Sequence, residues 1–192
     1  MSNDQNRSPA PATTMADTAA APTSGVAVTA IGDSVLLGVA DELKKVLGTN
    51  VVIDAELGRQ ASKTPAVARA LRTAGQIGST VILHVGENGV FRSGVFDRIM
   101  AELGDAHRVV VVNVKVPRAW ERPNNEMLAE AVARYPQAVL VDWNAASAGR
   151  PELFWHDGIH LRPAGARFYA GLVAQAVKAP APSDPRLALA GF

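Results

Sequence analysis

The stretch Val26-Ala27-Val28-Thr29-Ala30-Ile31-Gly32-Asp33-Ser34-Val35-Leu36 sets the terms for the rest of the chain. A short apolar run rich in β-branched residues stops at a Gly-Asp-Ser turn, and Leu36, Val39, Leu43, Val46 and Leu47 then recur at helical spacing. Such a run reads as a strand buried on both faces, and the pattern after it reads as an amphipathic helix. The turn between them holds residues that cap helices and residues that do chemistry.

Working outward, the same kind of run recurs at Val51 to Ala55, Thr80 to Val85, Arg108 to Val114 and Ala138 to Asp142. Longer amphipathic segments separate these runs, and Phe168, Leu172, Val173 and Ala176 mark the last helix. Strand and helix alternating five times predict a three-layer α/β/α sandwich around a five-stranded parallel sheet of flavodoxin-like type. In such sheets ligands gather beyond the carboxyl ends of the strands, so the residues just after each strand carry the functional reading.

The chain has 192 residues, 48% of them hydrophobic, enough for one core of ordinary size. We expect a domain over 26–178, with flexible tails at 1–25 and 179–192. The first is rich in Ser, Pro, Ala and Thr, and the second is broken by Pro180, Pro182 and Pro185. A net charge of +1 with both signs interspersed argues against nucleic acid as a partner. Without cysteine there is no disulfide, thiolate metal site or cysteine nucleophile. No apolar run approaches the ~20 residues of a spanning helix and no secretory signal pattern is present, so membrane insertion is not expected.

Three turns at strand ends could act together. Ser34 follows the first strand beside the unpaired N–H groups of a helix start, although Ser and Asp there also read as a simple N-cap. Asn88 lies in Gly86-Glu87-Asn88-Gly89 after the third strand, where its amide could donate to an oxyanion, although Asn-Gly is also a common turn. His156-Asp157-Gly158-Ile159-His160-Leu161 lies before the last helix, and a tight loop can set the Asp157 carboxylate against the His160 ring. His156 is the rival base. His160 is preferred because sequence neighbours on extended chain point opposite ways. His84, inside the third strand, reads as a buried hydrogen-bonded imidazole, and His107 as a polar turn residue. Nucleophile, base, orienter and oxyanion donor together fit acyl transfer with neither metal nor cofactor.

These blocks, Gly32-Asp33-Ser34, Gly58, Gly86-x-Asn88 and Asp157-x-x-His160, occur in the order found in SGNH (GDSL-like) hydrolases, and the chain resembles that superfamily over nearly the whole domain. Ile31-Gly32-Asp33-Ser34-Val35, Gly58-Arg59-Gln60, Val116-Pro117-Arg118-x-Trp120, Val141-Asp142-Trp143 and Asp157-Gly158-Ile159-His160-Leu161 resemble, more narrowly, the extracytoplasmic SGNH domain of membrane acyltransferases, including peptidoglycan O-acetyltransferases. The resemblance implies Ser34 as nucleophile, His160 as base and Asp157 as orienter. It also implies an oxyanion hole from the Ser34 and Gly58 N–H groups and the Asn88 side chain.

Expected substrates are acylated carbohydrates or small esters, attacked through an acyl-enzyme. The resemblance implies an extracytoplasmic site of action and allows a separately encoded membrane acyltransferase as partner. Arg59, Arg118 and Trp120 are candidate substrate contacts, while Trp143 and Trp155 read as packing residues. Two departures from the family stand out. Glu87 replaces the usual small polar residue and is expected to face solvent, and Arg162 replaces the usual Ser or Thr cap before Pro163. The alternatives are a non-catalytic glycan- or peptide-binding module and a cytoplasmic short-chain esterase or thioesterase. A nucleotide binder is disfavoured, because no Gly-rich phosphate loop follows the first strand. Oligomeric state is not legible.

Overall fold

The computed structural model describes residues 27–179, in which five strands form one parallel sheet. They are β1 (Val28–Gly32), β2 (Val51–Ala55), β3 (Thr80–His84), β4 (Arg108–Val112) and β5 (Ala138–Val141), in the order β2-β1-β3-β4-β5. All five fall within or one residue beyond the runs expected from sequence. The tails expected at 1–25 and 179–192 lie outside the described residues, apart from Ala179, which caps the last helix.

Six α-helices connect and cover the sheet: α1 (Ser34–Leu47), α2 (Thr64–Thr73), α3 (Ser93–Glu102), α4 (Glu121–Val132), the single turn α5 (Trp143–Ala146) and α6 (Pro163–Lys178). Successive strand residues point to opposite faces, and this period sorts the core into two layers. Val28, Ala30, Ile82, Val110 and Val112 pack with Leu36, Val39, Leu43, Tyr169 and Val173 on the side of α1 and α6. Ile31, Val81, Leu83, Val109 and Val111 pack with Leu71, Phe96, Ile99 and Leu128 on the side of α2, α3 and α4. Both faces of the central strands are therefore covered, which is why they read as unbroken apolar runs.

The chain leaves β1 for β2 in one direction and returns past it to β3, β4 and β5 in the other. The sheet thus has a switch point between the carboxyl ends of β1 and β3, where side chains from two loops can converge. Gly32 permits the closeness there. A Cβ at this position would sit 2.4 Å from the Leu36 Cβ and 2.8 Å from the His84 carbonyl oxygen. Among the described residues, no helix is long and apolar enough to cross a membrane.

Candidate active site

Ser34 is the first residue of α1, and Asp33 before it caps the helix, its Oδ1 accepting the Val35 N–H at 3.2 Å. The nucleophile candidate is thus held by a helix start, with its side chain 8% exposed at the sheet switch point. Across the cleft, residues 153–162 form a closed loop. Trp155 N–H donates to the His160 carbonyl at 2.8 Å, Arg162 N–H to the Leu153 carbonyl at 2.9 Å, and Gly158 N–H to the Trp155 carbonyl at 2.9 Å. Gly158 turns this loop at φ +69°, a conformation that favours glycine.

The loop brings Asp157 and His160 together. Asp157 Oδ2 lies 2.7 Å from His160 Nδ1, and Oδ1 accepts the N–H groups of Ile159 at 2.9 Å and His160 at 3.0 Å. Burial works to raise the Asp157 pKa. The His160 hydrogen bond, the two amides and the His160 charge outweigh it and hold the carboxyl down at about 2. With Asp157 ionised, the imidazole proton belongs on Nδ1, leaving Nε2 as an acceptor 3.0 Å from Ser34 Oγ. Residues 126 positions apart therefore form one continuous hydrogen-bonded chain. His156, the rival base, is exposed.

Asn88 is half-buried in the loop after β3. Its Nδ2 donates to the Arg59 carbonyl at 3.3 Å, and its own carbonyl accepts Gln60 Nε2 at 2.7 Å. These bonds join the loops after β2 and β3 on one side of the cleft and leave the second Asn88 amide hydrogen for another acceptor. Gly58 is exposed at φ +67° in the turn after β2.

Two expectations are corrected. Arg59 does not face a substrate. It is 7% exposed, and its guanidinium donates to the Gly32 carbonyl (3.0 Å), the Asp54 carbonyl (2.8 Å) and Asp54 Oδ1 (2.6 Å), stitching the ends of β1 and β2 together. Carbonyls at strand ends have lost their ladder partners, and a five-donor cation satisfies several at once. Glu87 does not face solvent either. It is 4% exposed, with Oε1 2.8 Å from His84 Nε2, among polar groups already buried at this end of the sheet.

The remaining residues divide between cleft and core. Trp120 is half-buried, its Nε1 donating to the Glu87 carbonyl at 3.2 Å, and Arg118 is exposed. Trp143 is 1% exposed, with ring contacts to Phe154, Phe168 and Tyr169. Trp155 holds the loop of Asp157 and His160 through its backbone, yet its ring is 47% exposed under the Arg162 guanidinium at 4.8 Å. Arg162 makes no side-chain cap to α6 and donates to the Phe154 carbonyl at 2.7 Å instead. A cleft of about 490 Å³ opens behind this loop, lined in part by Lys115, Pro117, Phe154, Trp155 and Arg162. His84 is the buried, hydrogen-bonded imidazole expected from sequence, but sequence reading missed its grouping with Tyr169, Glu87 and Asp33.

No protein-family model matches the chain. It is 37% identical over 151 residues to YrhL of Bacillus subtilis, a match covering 79% of this chain and 24% of that protein. It is 35% identical over 144 residues to the peptidoglycan O-acetyltransferase OatA of Listeria monocytogenes, covering 75% of this chain and 23% of the relative. The match thus spans about a quarter of the length of these relatives. Among solved structures, the C-terminal catalytic domain of Streptococcus pneumoniae OatA, with a methylsulfonyl adduct, superposes with TM-score 0.70 at 22% identity, covering 80% of this chain and 93% of that one. A GDSL-like lipase from Bacteroides thetaiotaomicron superposes with TM-score 0.62 at 16% identity, covering 80% and 88%. By sequence the described domain is homologous to the matched part of OatA and YrhL, and it has the fold of the SGNH (GDSL-like) domains.

Proposed function

We propose that the protein is a serine acyl-ester hydrolase or O-acetyltransferase acting on carbohydrate esters. The observation that carries this reading is the chain Ser34 Oγ to His160 Nε2 at 3.0 Å and His160 Nδ1 to Asp157 Oδ2 at 2.7 Å. Ser34 Oγ attacks the ester carbonyl carbon as its proton passes to His160 Nε2, and Asp157 stabilises the resulting imidazolium. The tetrahedral oxyanion is met by the Ser34 N–H and the Asn88 amide, with Gly58 N–H as a third donor. Collapse expels the alcohol, which takes the proton from His160 and leaves an acyl-Ser34. Water or a sugar hydroxyl then attacks this ester, giving its proton to His160, which passes it to the departing Ser34 Oγ as the carboxylic acid or acylated sugar is released.

Trp120 and Arg118, at the cleft side, are the proposed carbohydrate contacts. The peptidoglycan O-acetyltransferase relatives support a glycan substrate. Transfer also requires an acyl donor, for which a membrane acyltransferase is the proposed partner.

The test is turnover of a short-chain aryl acetate with parallel labelling by a serine-directed sulfonyl fluoride. Ser34→Ala is expected to lower kcat by at least about 10⁴-fold and to abolish labelling. Asn88→Ala is expected to cost about 10²–10³ in kcat with little change in KM. Equal rates in wild type and Ser34→Ala would overturn the reading. Acetyl transfer to chitooligosaccharides separates transferase from esterase.

A further inference from the structure

Beneath the nucleophile turn and the Asn88 loop lies a sealed polar chain that the reaction above does not use. Tyr169 of α6 is fully buried, its hydroxyl 2.8 Å from His84 Nδ1. His84, also fully buried at the end of β3, has its Nε2 2.8 Å from Glu87 Oε1. Glu87 in turn interacts with the Asp33 carboxyl. Asp33 is the neighbour of Ser34, and Glu87 is the neighbour of Asn88. No well-aligned hydrogen bond from another residue reaches Asp33 Oδ2 or either Glu87 carboxyl oxygen, although all three are sealed from solvent. Buried carboxyl oxygens in that condition are strongly destabilising unless a proton lies between them.

The direction of the chain follows from its ends. Burial, with the negative charge of the Glu87–Asp33 pair, pushes the Tyr169 phenol well above its ordinary value, so it keeps its proton and donates to His84 Nδ1. Burial lowers His84 to about 4, against the opposing pull of Asp33 and the Asn113 backbone, so the ring is neutral and its single proton sits on Nε2, beside Glu87. Glu87, the less strongly raised of the two acids, is then the member that ionises first. Asp33 accepts the Val35 N–H on Oδ1 and has the sealed Oδ2 left to carry the remaining proton.

We propose that Glu87 is a positioning residue for the Ser34 chemistry: the Asp33–Glu87 acid pair, sharing one proton, ties the loop that carries Asn88 to the turn that carries Ser34 and keeps oxyanion donor and nucleophile in register. This inference rests on the esterase reading above. Glu87 acts through its neighbours and touches no reacting atom.

Loss of the shared proton places two carboxylates face to face without a donor between them. The groups facing the pair are His84 from β3, Tyr169 from α6, the Lys115 backbone amide after β4 and, through its charge, Glu121 of α4. None neutralises it, since His84 is uncharged and the Lys115 ammonium lies 3.6 Å from Glu121. Burial and the Glu87 charge raise Asp33 to about 8, while burial raises Glu87 to about 7. The two titrate as one unit.

The test compares pH profiles of kcat/KM for aryl acetate in wild type and Glu87→Gln, alongside infrared detection of a buried protonated carboxyl in the Ser34→Ala background. Wild type is expected to show an alkaline decline near pH 8. Glu87→Gln, whose amide can donate to Asp33, is expected to lose that decline, keep the acid limb of the triad, and lower kcat roughly tenfold at neutral pH with KM nearly unchanged. A purely structural role would lower the rate by the same factor at every pH. An unaltered alkaline limb in Glu87→Gln overturns the proposal, and so does the absence of a protonated-carboxyl band that disappears on raising the pH. Should Glu87→Gln not fold, Asp33→Asn probes the same pair from the other side, with the same outcomes. A titrating band together with equal aryl acetate turnover in wild type and Ser34→Ala would sink the reaction reading and the positioning role with it, and would distinguish that failure from absence of the pair.

Discussion

Asp157 and His160, three residues apart, are joined by local contacts: Gly158 turns the backbone, and the amides of Ile159 and His160 bind the carboxylate. This is why the pair was legible from Asp157-Gly158-Ile159-His160. Asp157→Asn keeps the shape but favours the wrong imidazole tautomer, and is expected to lower kcat by about 10⁴-fold with KM little changed, read by steady-state kinetics. The pH dependence at this residue has a definite sign. Its folded pKa lies below the ordinary carboxylate value of 3.8, so its contribution to stability is present above about pH 4 and is lost as pH falls through about 2. Denaturant titrations across that window should show wild type losing stability more steeply than Asp157→Asn. Glu87 marks the limit of residue-level reading. An acidic side chain in a turn belongs in solvent by default, and only the buried imidazole beside it, with Asp33 from another strand end, reverses the expectation.

At the scale of elements, the central strands β1, β3 and β4 announced themselves because burial on both faces demands an unbroken apolar run, and α1 and α6 because one face alone is apolar. Boundaries drifted where hydrogen bonding, not hydrophobicity, decides them. β4 stops at Val112, and Asn113 turns its amide to Asp142 Oδ1 at 2.8 Å while its Oδ1 accepts the Asn144 N–H at 2.9 Å. Arg59 illustrates the same limit, since its role is to satisfy carbonyls of two strand ends that the sequence cannot show to be adjacent. The start of α6 depends on close backbone approach: a Cβ at Gly165 would lie 2.2 Å from the Leu153 carbonyl oxygen. Gly165→Ala is therefore expected to push α6 off the loop that holds Asp157 and His160. The variant should lower Tm and depress kcat together, as measured by thermal denaturation and esterase kinetics, whereas Gly171→Ala, with open space around it, should change neither appreciably.

The whole molecule joins two apolar layers through one sheet, and the layer under α1 and α6 also supports the site. Trp143 is enclosed there by Phe154, Phe168 and Tyr169, so Trp143→Ala is expected to cost about 3–5 kcal/mol in urea denaturation. Its effect should extend to catalysis, because Phe154 begins the loop that carries Asp157 and His160 and Tyr169 anchors His84. Composition and period were enough, by themselves, to determine the layers and the parallel sheet, because burial pattern is written in adjacent residues, and the turns at strand ends singled out Ser34, Asn88, Asp157 and His160 as candidates. What only the tertiary structure decided was which strand ends stand side by side. From that adjacency follow the 3.0 Å reach from Ser34 to His160, the inward commitment of Arg59, and the sealed carboxyl pair of Asp33 and Glu87. Strand order is a property of chain crossings, and partners brought together by crossings leave no mark on either segment alone.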